Sequence, residues 1–265
     1  VRGAMHGVPV LLKDNIASKG RLHTTAGAIG LRNLKTGFDA PLVRNLRENG
    51  ALIVGKSAMS EWANYTSSTF ANGFSALGGQ VRNPYGDFDV SGSSSGSAVA
   101  VAAGLVTVAV GSETWGSLVF PASQNAIVAV KPTFGLVSNE GMIPIISSRD
   151  TAGPMARSVT DAAILLDVLV GSSGSSYQDA LQAGGLAGLR LGLVSGRAEA
   201  MEGDDLLMDR AIAAIEGAGG VVVELPPTSI VSSALEFADF SFLANHEFAR
   251  GVDAFLADTP SDIKT

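Results

Sequence analysis

Between Asp89 and Ala98 the sequence reads Asp-Val-Ser-Gly-Ser-Ser-Ser-Gly-Ser-Ala, and an apolar stretch to Leu105 follows directly. Taken alone, a Gly/Ser run is a flexible linker, but linkers seldom lead straight into an apolar helix. A loop that enters a helix presents backbone N–H groups without intrahelical partners, which suit an anion or a developing oxyanion. Phosphate is the rival ligand, yet the Gly-x-x-x-x-Gly-Lys-Ser/Thr spacing that cradles it is absent. Gly92-Ser93-Ser94-Ser95-Gly96 also satisfies Gly-x-Ser-x-Gly, the nucleophile elbow of α/β-hydrolases, with Ser94 as nucleophile and a later Asp and His246 as partners. That elbow needs a strand immediately before its serine, and Asp87 to Ser91 makes a poor one. Histidine is limited to His6, His23 and His246, and no His-Glu-x-x-His or comparable cluster supplies a metal site.

Joined to Gly111-Ser112-Glu113-Thr114-Trp115-Gly116-Ser117 and to Lys131-Pro132-Thr133, the serine loop resembles the signature of the amidase-signature serine hydrolases. That signature consists of a Gly/Ser loop, an apolar helix and strand, a Gly-Ser-Asp/Glu-Thr-x-Gly-Ser turn, and Lys-Pro-Thr. The resemblance extends upstream to Gly7-Val8-Pro9-Val10-Leu11-Leu12-Lys13-Asp14-Asn15 and to the Gly55–Asn64 segment, and downstream through Asp150–Ser158. It covers about the first two-thirds of the chain. Within the family, Ser-Glu-Trp-Ala-Asn and Ser-Ser-Ser-Gly-Ser are most similar to peptide amidases.

The resemblance implies a catalytic set of Lys13, Ser93 and Ser117, with Ser93 on a cis Gly92–Ser93 peptide bond, relaying a proton between the other two. Serine is a weak nucleophile until a base takes its proton, and lysine can be that base when burial keeps it neutral. Lys13 follows five uncharged residues, in keeping with such burial. Backbone N–H groups of Thr114, Trp115, Gly116 and Ser117 would form the oxyanion hole, with Ser94 and Asn64 as further substrate-side residues. One serine of the loop is expected to cap the following helix. A Trp at position 115 departs from the family pattern, which is usually small or acidic there; it reads equally as a packing aromatic and as a substrate contact. Asp150 is expected to make a supporting hydrogen bond and Arg157 an ion pair.

The implied reaction is hydrolysis of a carboxamide to acid and ammonia or amine through an acyl-enzyme, with no metal and no organic cofactor. The substrate class is a small-molecule or peptide amide. Two other readings share the signature: a non-catalytic relative, hinted at by Trp115, and the glutaminase-type subunit of a tRNA-dependent amidotransferase, which works with partner subunits. Release of ammonia by the protein alone separates them.

The elements that must position these residues alternate. Residues 7–12 predict a strand that delivers Lys13 to its end; residues 39–49 predict a helix and 51–54 a strand. Then follow a helix over 97–105, strands over 106–110 and 127–130, and a helix over 158–170 begun by a Ser-x-x-Asp cap. A strand at 191–194, a helix at 204–216 and a strand at 221–225 complete the set. The expected fold class is α/β, an amidase-signature fold with a mixed central sheet covered on both faces by helices. The chain is read as one domain over 1–265, with a catalytic core at 1–170, a Gly/Ser loop near 171–177 and an incomplete C-terminal part at 178–265.

Composition bounds the rest. Nearly half of the 265 residues are apolar and 16% are charged, which fits a compact globular protein. A net charge of −7 with no Lys/Arg cluster disfavours nucleic acid and anionic membranes as partners. Cysteine is absent, which removes disulfide and thiolate chemistry and leaves the compartment open, with the cytoplasm expected. Val1 in place of Met and an end at Thr265 without a stop signal lead us to expect further sequence on both sides. Oligomeric state is not fixed by the sequence.

Overall fold

The computed structural model describes residues 3–67, 69–171, 176–181, 185–194, 204–225 and 233–260. Contacts group the chain into two compact units, Val1–Gln178 with Leu243–Thr265, and Asp179–Phe242. In chain order the first unit holds β1 (Pro9–Lys13), α1 (Pro41–Glu48), β2 (Leu52–Ser57), β3 (Phe74–Ser75), β4 (Gly79–Gln80), α2 (Ser95–Ala102) and β5 (Val108–Glu113). It continues with α3 (Val119–Gln124), β6 (Val128–Ala129), β7 (Thr151–Ala156) and α4 (Val159–Val170). Five strands make one sheet in the order β2-β1-β5-β7-β6. β1 runs parallel to β2 and β5, while β7 is antiparallel to β5 and β6, so the sheet is mixed as expected. β3 and β4 form a separate hairpin.

Because side chains alternate across a strand, the two faces can be read from the core. Val10, Leu12, Val108 and Val110 join Leu42, Val43 and Leu46 of α1 and Leu165, Leu166 and Leu169 of α4 in one cluster. Leu11 and Ala109, one residue out of step, pack with Ala100 and Val101 of α2. Helices therefore cover both faces. Each fully buried leucine stabilises the assembly by roughly 1.5–3 kcal/mol.

α1 begins with Pro41 at its first turn, where a missing N–H costs nothing, and stops at Asn49 and Gly50. In α4, Ser158 Oγ accepts from the Asp161 N–H at 3.0 Å, the cap read from the sequence, and left-handed Gly171 closes the helix. α2 differs from expectation: it starts at Ser95, two residues earlier than predicted, and ends at Ala102. Its first turn takes Ser95, Gly96 and Ser97 inside because small residues let it press against the Ala58 backbone. A Cβ on Gly96 would stand 2.7 Å from Ala58 N. The capping expectation also fails, since Ser94 occupies the N-cap position without a side-chain cap bond. Arg157, expected in an ion pair, instead donates to the carbonyls of Val101 (3.0 Å) and Val106 (3.3 Å), tying the chain just after β7 to the end of α2.

In the second unit, β8 (Arg190–Val194) and β9 (Val221–Leu225) pair in parallel, with α5 (Asp204–Gly217) between them in sequence. α6 (Ser233–Ala257) follows, and its part from residue 243 belongs to the first unit. There Phe248 meets the rings of Trp62 and Tyr65 with centroids 5.5 and 4.7 Å apart, and Phe255 meets Phe38 at 6.4 Å. Tyr65 donates to Asn245 Oδ1 at 2.8 Å. The loop expected at 171–177 lies partly outside the described residues; within it, Tyr177 N donates to Asp167 at 2.7 Å. Among the described residues no helix is long and apolar enough to cross a membrane.

Candidate active site

β1 explains where Lys13 goes. Lys13 keeps step with Leu11, so the pleat sends it toward the α2 side of the sheet, where the serine loop enters that helix. The side chain is buried, at 1% exposure, with Nζ donating to Ser93 Oγ at 2.8 Å and to the Ser112 carbonyl at 2.9 Å. Burial pulls its pKa down from 10.5 to about 7, opposed by the charges of Asp150 and Glu113. A lysine in this state exchanges its proton near neutrality, as a base must.

The Gly92–Ser93 peptide bond is cis, as the resemblance implied. The serines around it are all engaged. Ser95 Oγ donates to the Ser91 carbonyl, and Ser97 Oγ contacts Ser57 Oγ at 2.7 Å and donates to the Val110 carbonyl at 3.3 Å. Ser94 is fully buried; its hydroxyl donates to Ser112 O at 3.0 Å and accepts from Ser112 N at 3.2 Å. The sequence offered Ser94 as an α/β-hydrolase nucleophile and as a substrate-side residue; here its hydroxyl both donates to and accepts from the backbone of β5. His246, the partner in the first of those readings, is exposed on α6. Ser94 acts through its main chain instead: its N–H donates to the Ser117 carbonyl at 3.3 Å, joining the loop of Ser93 to the turn of Ser117.

That turn leaves β5 at Glu113 and bends through residues 114–117 into α3. Gly116 carries a φ of +78°, a conformation that glycine adopts without steric cost. Glu113 folds back so that Oε2 accepts from the N–H groups of Leu118 (2.8 Å) and Val119 (3.2 Å). The carboxylate thereby replaces a conventional cap at the start of α3 and leaves the preceding N–H groups for something else. Among the described residues none accepts from the N–H of Gly116 or Ser117. Ser117 itself is 8% exposed, and Trp115 is partly exposed beside it. Glu113 was given no role from the sequence; an acidic residue just ahead of a helix start was the available signal.

Asp150 makes the expected supporting bond, accepting from Thr114 Oγ1. Its other oxygen accepts from the N–H groups of Ile145 (2.8 Å) and Ile146 (3.1 Å). On the neighbouring edge, Lys56 donates to Ile16 O and to Thr24 Oγ1 at 2.9 Å and lies 4.0 Å from Asp14, which Thr25 also contacts. This pair is spent on the loop after β1, and burial lowers the Lys56 pKa to about 8.

Asn64 donates to Asn72 Oδ1 at 2.7 Å, and among the described residues its own buried Oδ1 has no partner. It ends a run of three non-glycine residues in the left-handed region, with Trp62, Ala63 and Asn64 at φ of 47°, 55° and 67°. Each such residue costs about 1–2 kcal/mol, so packing must hold the run in place. Trp and Ala have no preference for that region, and nothing in the sequence signals it. Trp62 and Ala63 wall a small cavity with Lys13, Ser93, Thr114 and Asp150. Asn64 and Asn72 stand at a broader groove of about 1260 Å³, whose lining includes Ser67, Phe70, Arg82 and Phe88.

Known proteins share this fold. The native peptide amidase of Stenotrophomonas maltophilia superposes on the whole chain with a TM-score of 0.92 and 40% identity, the chain covering 56% of it. A peptide amidase bound to the competitive inhibitor chymostatin gives a TM-score of 0.91 at the same identity and coverage. Among curated sequences, an Arabidopsis thaliana protein named as a probable amidase is 39% identical over 96% of this chain and 52% of its own length. A glutamyl-tRNA(Gln) amidotransferase component of Archaeoglobus fulgidus is 38% identical over 82% of the chain and 46% of its own length. The chain thus spans about half the length of the curated relatives it matches. With residues 1–261 matching the Amidase family, the chain belongs to that family.

Proposed function

We propose that this chain carries the catalytic core of an amidase that hydrolyses a carboxamide C–N bond through an acyl-enzyme on Ser117. The observation that carries the reading is the buried Lys13 amine, 2.8 Å from the Ser93 hydroxyl in a loop whose main chain is bonded to that of Ser117. Neutral Lys13 keeps an N–H on the Ser112 carbonyl and turns its lone pair to Ser93. As Ser117 Oγ attacks the amide carbon, its proton passes to Ser93 Oγ, and the proton of Ser93 passes to Lys13 Nζ. Charge gathers on the former carbonyl oxygen, which the N–H groups of the 114–117 turn receive. The C–N bond then breaks, the same relay protonates the leaving nitrogen, and ammonia or amine departs. Water enters by the reverse sequence and frees the acid.

The likeness to peptide amidases supports a peptide amide as substrate. Relatives that belong to an amidotransferase favour a second reading, in which the same site releases ammonia only within a complex. The test is fluorophosphonate labelling of the full-length protein, peptide mass spectrometry to locate the labelled serine, and a Lys13→Ala control. Label on Ser117 that disappears in the control is expected; label elsewhere, or label indifferent to Lys13, sinks the proposal. Ammonia release from a peptide amide by the isolated protein decides against the partner-dependent reading.

A further inference from the structure

The β5–β7 register pairs Glu113 with Thr151, and one step past the strand ends it sets Thr114 against Asp150. Asp150 is 5% exposed and uses both carboxylate oxygens: one on the Thr114 hydroxyl, the other on the N–H groups of Ile145 and Ile146. Among the described residues no cation lies within 4 Å of it. The carboxylate nevertheless lines the same cavity as Lys13, Asn15, Ser93 and Ser112. We propose that Asp150 is a positioning residue of the amide-hydrolysing site, fixing the oxyanion turn through Thr114 and acting on the Lys13 amine through its charge across that cavity.

Two features argue for this over simple structural support. A carboxylate that only bridged a loop to a turn could be an amide, which would accept from Ile145 and Ile146 and donate to Thr114 with the same shape. The structure instead retains a buried carboxyl, and burial pushes its pKa up to about 6, with Thr114, Ile145, Ile146 and Lys13 pulling the other way. Second, the charges acting on Lys13 are Asp150 and, less strongly, Glu113, whereas neighbouring Asp14 is turned to Lys56 and Thr25. Asp150 is therefore the principal group restraining the loss of basicity that burial imposes on the lysine.

The inference rests on the reading of Lys13 as the base, and two variants of the full-length protein test it. Asp150→Asn keeps the hydrogen bonds and removes the charge, so the acidic limb of the kcat/KM profile should move down by about one pH unit. Thr114→Val cuts the link to the turn, so kcat on the plateau above pH 8, where Asp150 stays ionised, should fall about tenfold with KM unmoved. A limb that stays put or moves up in Asp150→Asn, or an unchanged kcat in Thr114→Val, overturns the proposal. Should Asp150→Asn fail to fold, the Thr114→Val kcat alone decides. Failure of the underlying reading looks different: Lys13→Ala then stays active, whereas if only this inference fails, Lys13→Ala is dead while the Asp150→Asn limb stays in place.

Discussion

Lowering the pH should switch the site off, and the structure sets where. An unperturbed lysine near 10.5 is neutral in only about one molecule in three thousand at pH 7. With the Lys13 pKa drawn to about 7 by burial, about half the molecules hold the neutral amine at that pH, a gain of roughly a thousandfold in competent enzyme. Only about one in a hundred remains neutral at pH 5. The kcat/KM for ammonia release from a peptide amide should therefore fall close to tenfold per unit below about pH 6.5 and level off above about pH 8. Initial rates in buffers of constant ionic strength, each sample returned to pH 8 to exclude unfolding, give the measurement. A rate undiminished at pH 5, or a limb above pH 9.5, refutes the argument that burial makes this lysine a base. The same shift acts on the fold. The unfolded chain holds the extra proton between pH 7 and 10.5, so the Lys13 contribution to stability is complete above 10.5 and lost as pH falls to 7. Its full size is about 5 kcal/mol.

Arg157→Met removes two bonds to the carbonyls of Val101 and Val106 but no partner charge. It should lower the urea-unfolding free energy by about 1–3 kcal/mol and leave the pH profile where it is. Gly116→Ala places a Cβ at φ +78°, 2.5 Å from the Phe120 ring, which is exposed and can swing aside. The residual backbone strain should tilt the N–H groups of the turn, lowering kcat by roughly 10²-fold with a melting temperature close to the parent's.

The sequence showed most where one physical requirement dominated. The apolar spacing and Gly50 stop of α1 and the Ser158 cap of α4 marked those helices because each feature acts locally. The start of α2 was displaced because small serines and a glycine, poor helix formers by propensity, are admitted by close packing against Ala58. β7 went unassigned for a related reason: Thr-Ala-Gly-Pro-Met-Ala has neither alternation nor β-branched density, and its strand character comes from burial between β5 and β6. α6 carried no assigned element either. At the site, the resemblance to the amidase signature pointed to Lys13, Ser93 and Ser117, and the structure brings the first two into contact. The fate of Ser94 and the work of Glu113 depend on which way a hydroxyl and a carboxylate turn, which no spacing encodes.

Phe248 is made roughly 190 residues after Trp62, and at ~5–20 residues per second that gap lasts roughly 10–40 s on the ribosome. Until then the cavity wall at Trp62, and Tyr65 close by in the chain, lack the cover of Phe248, and Phe38 waits longer still for Phe255. The first unit is thus interrupted in sequence, its closing piece delivered only after residues 179–242 have been synthesised. Nascent chains halted before residue 243 should expose these rings to chaperones and proteases.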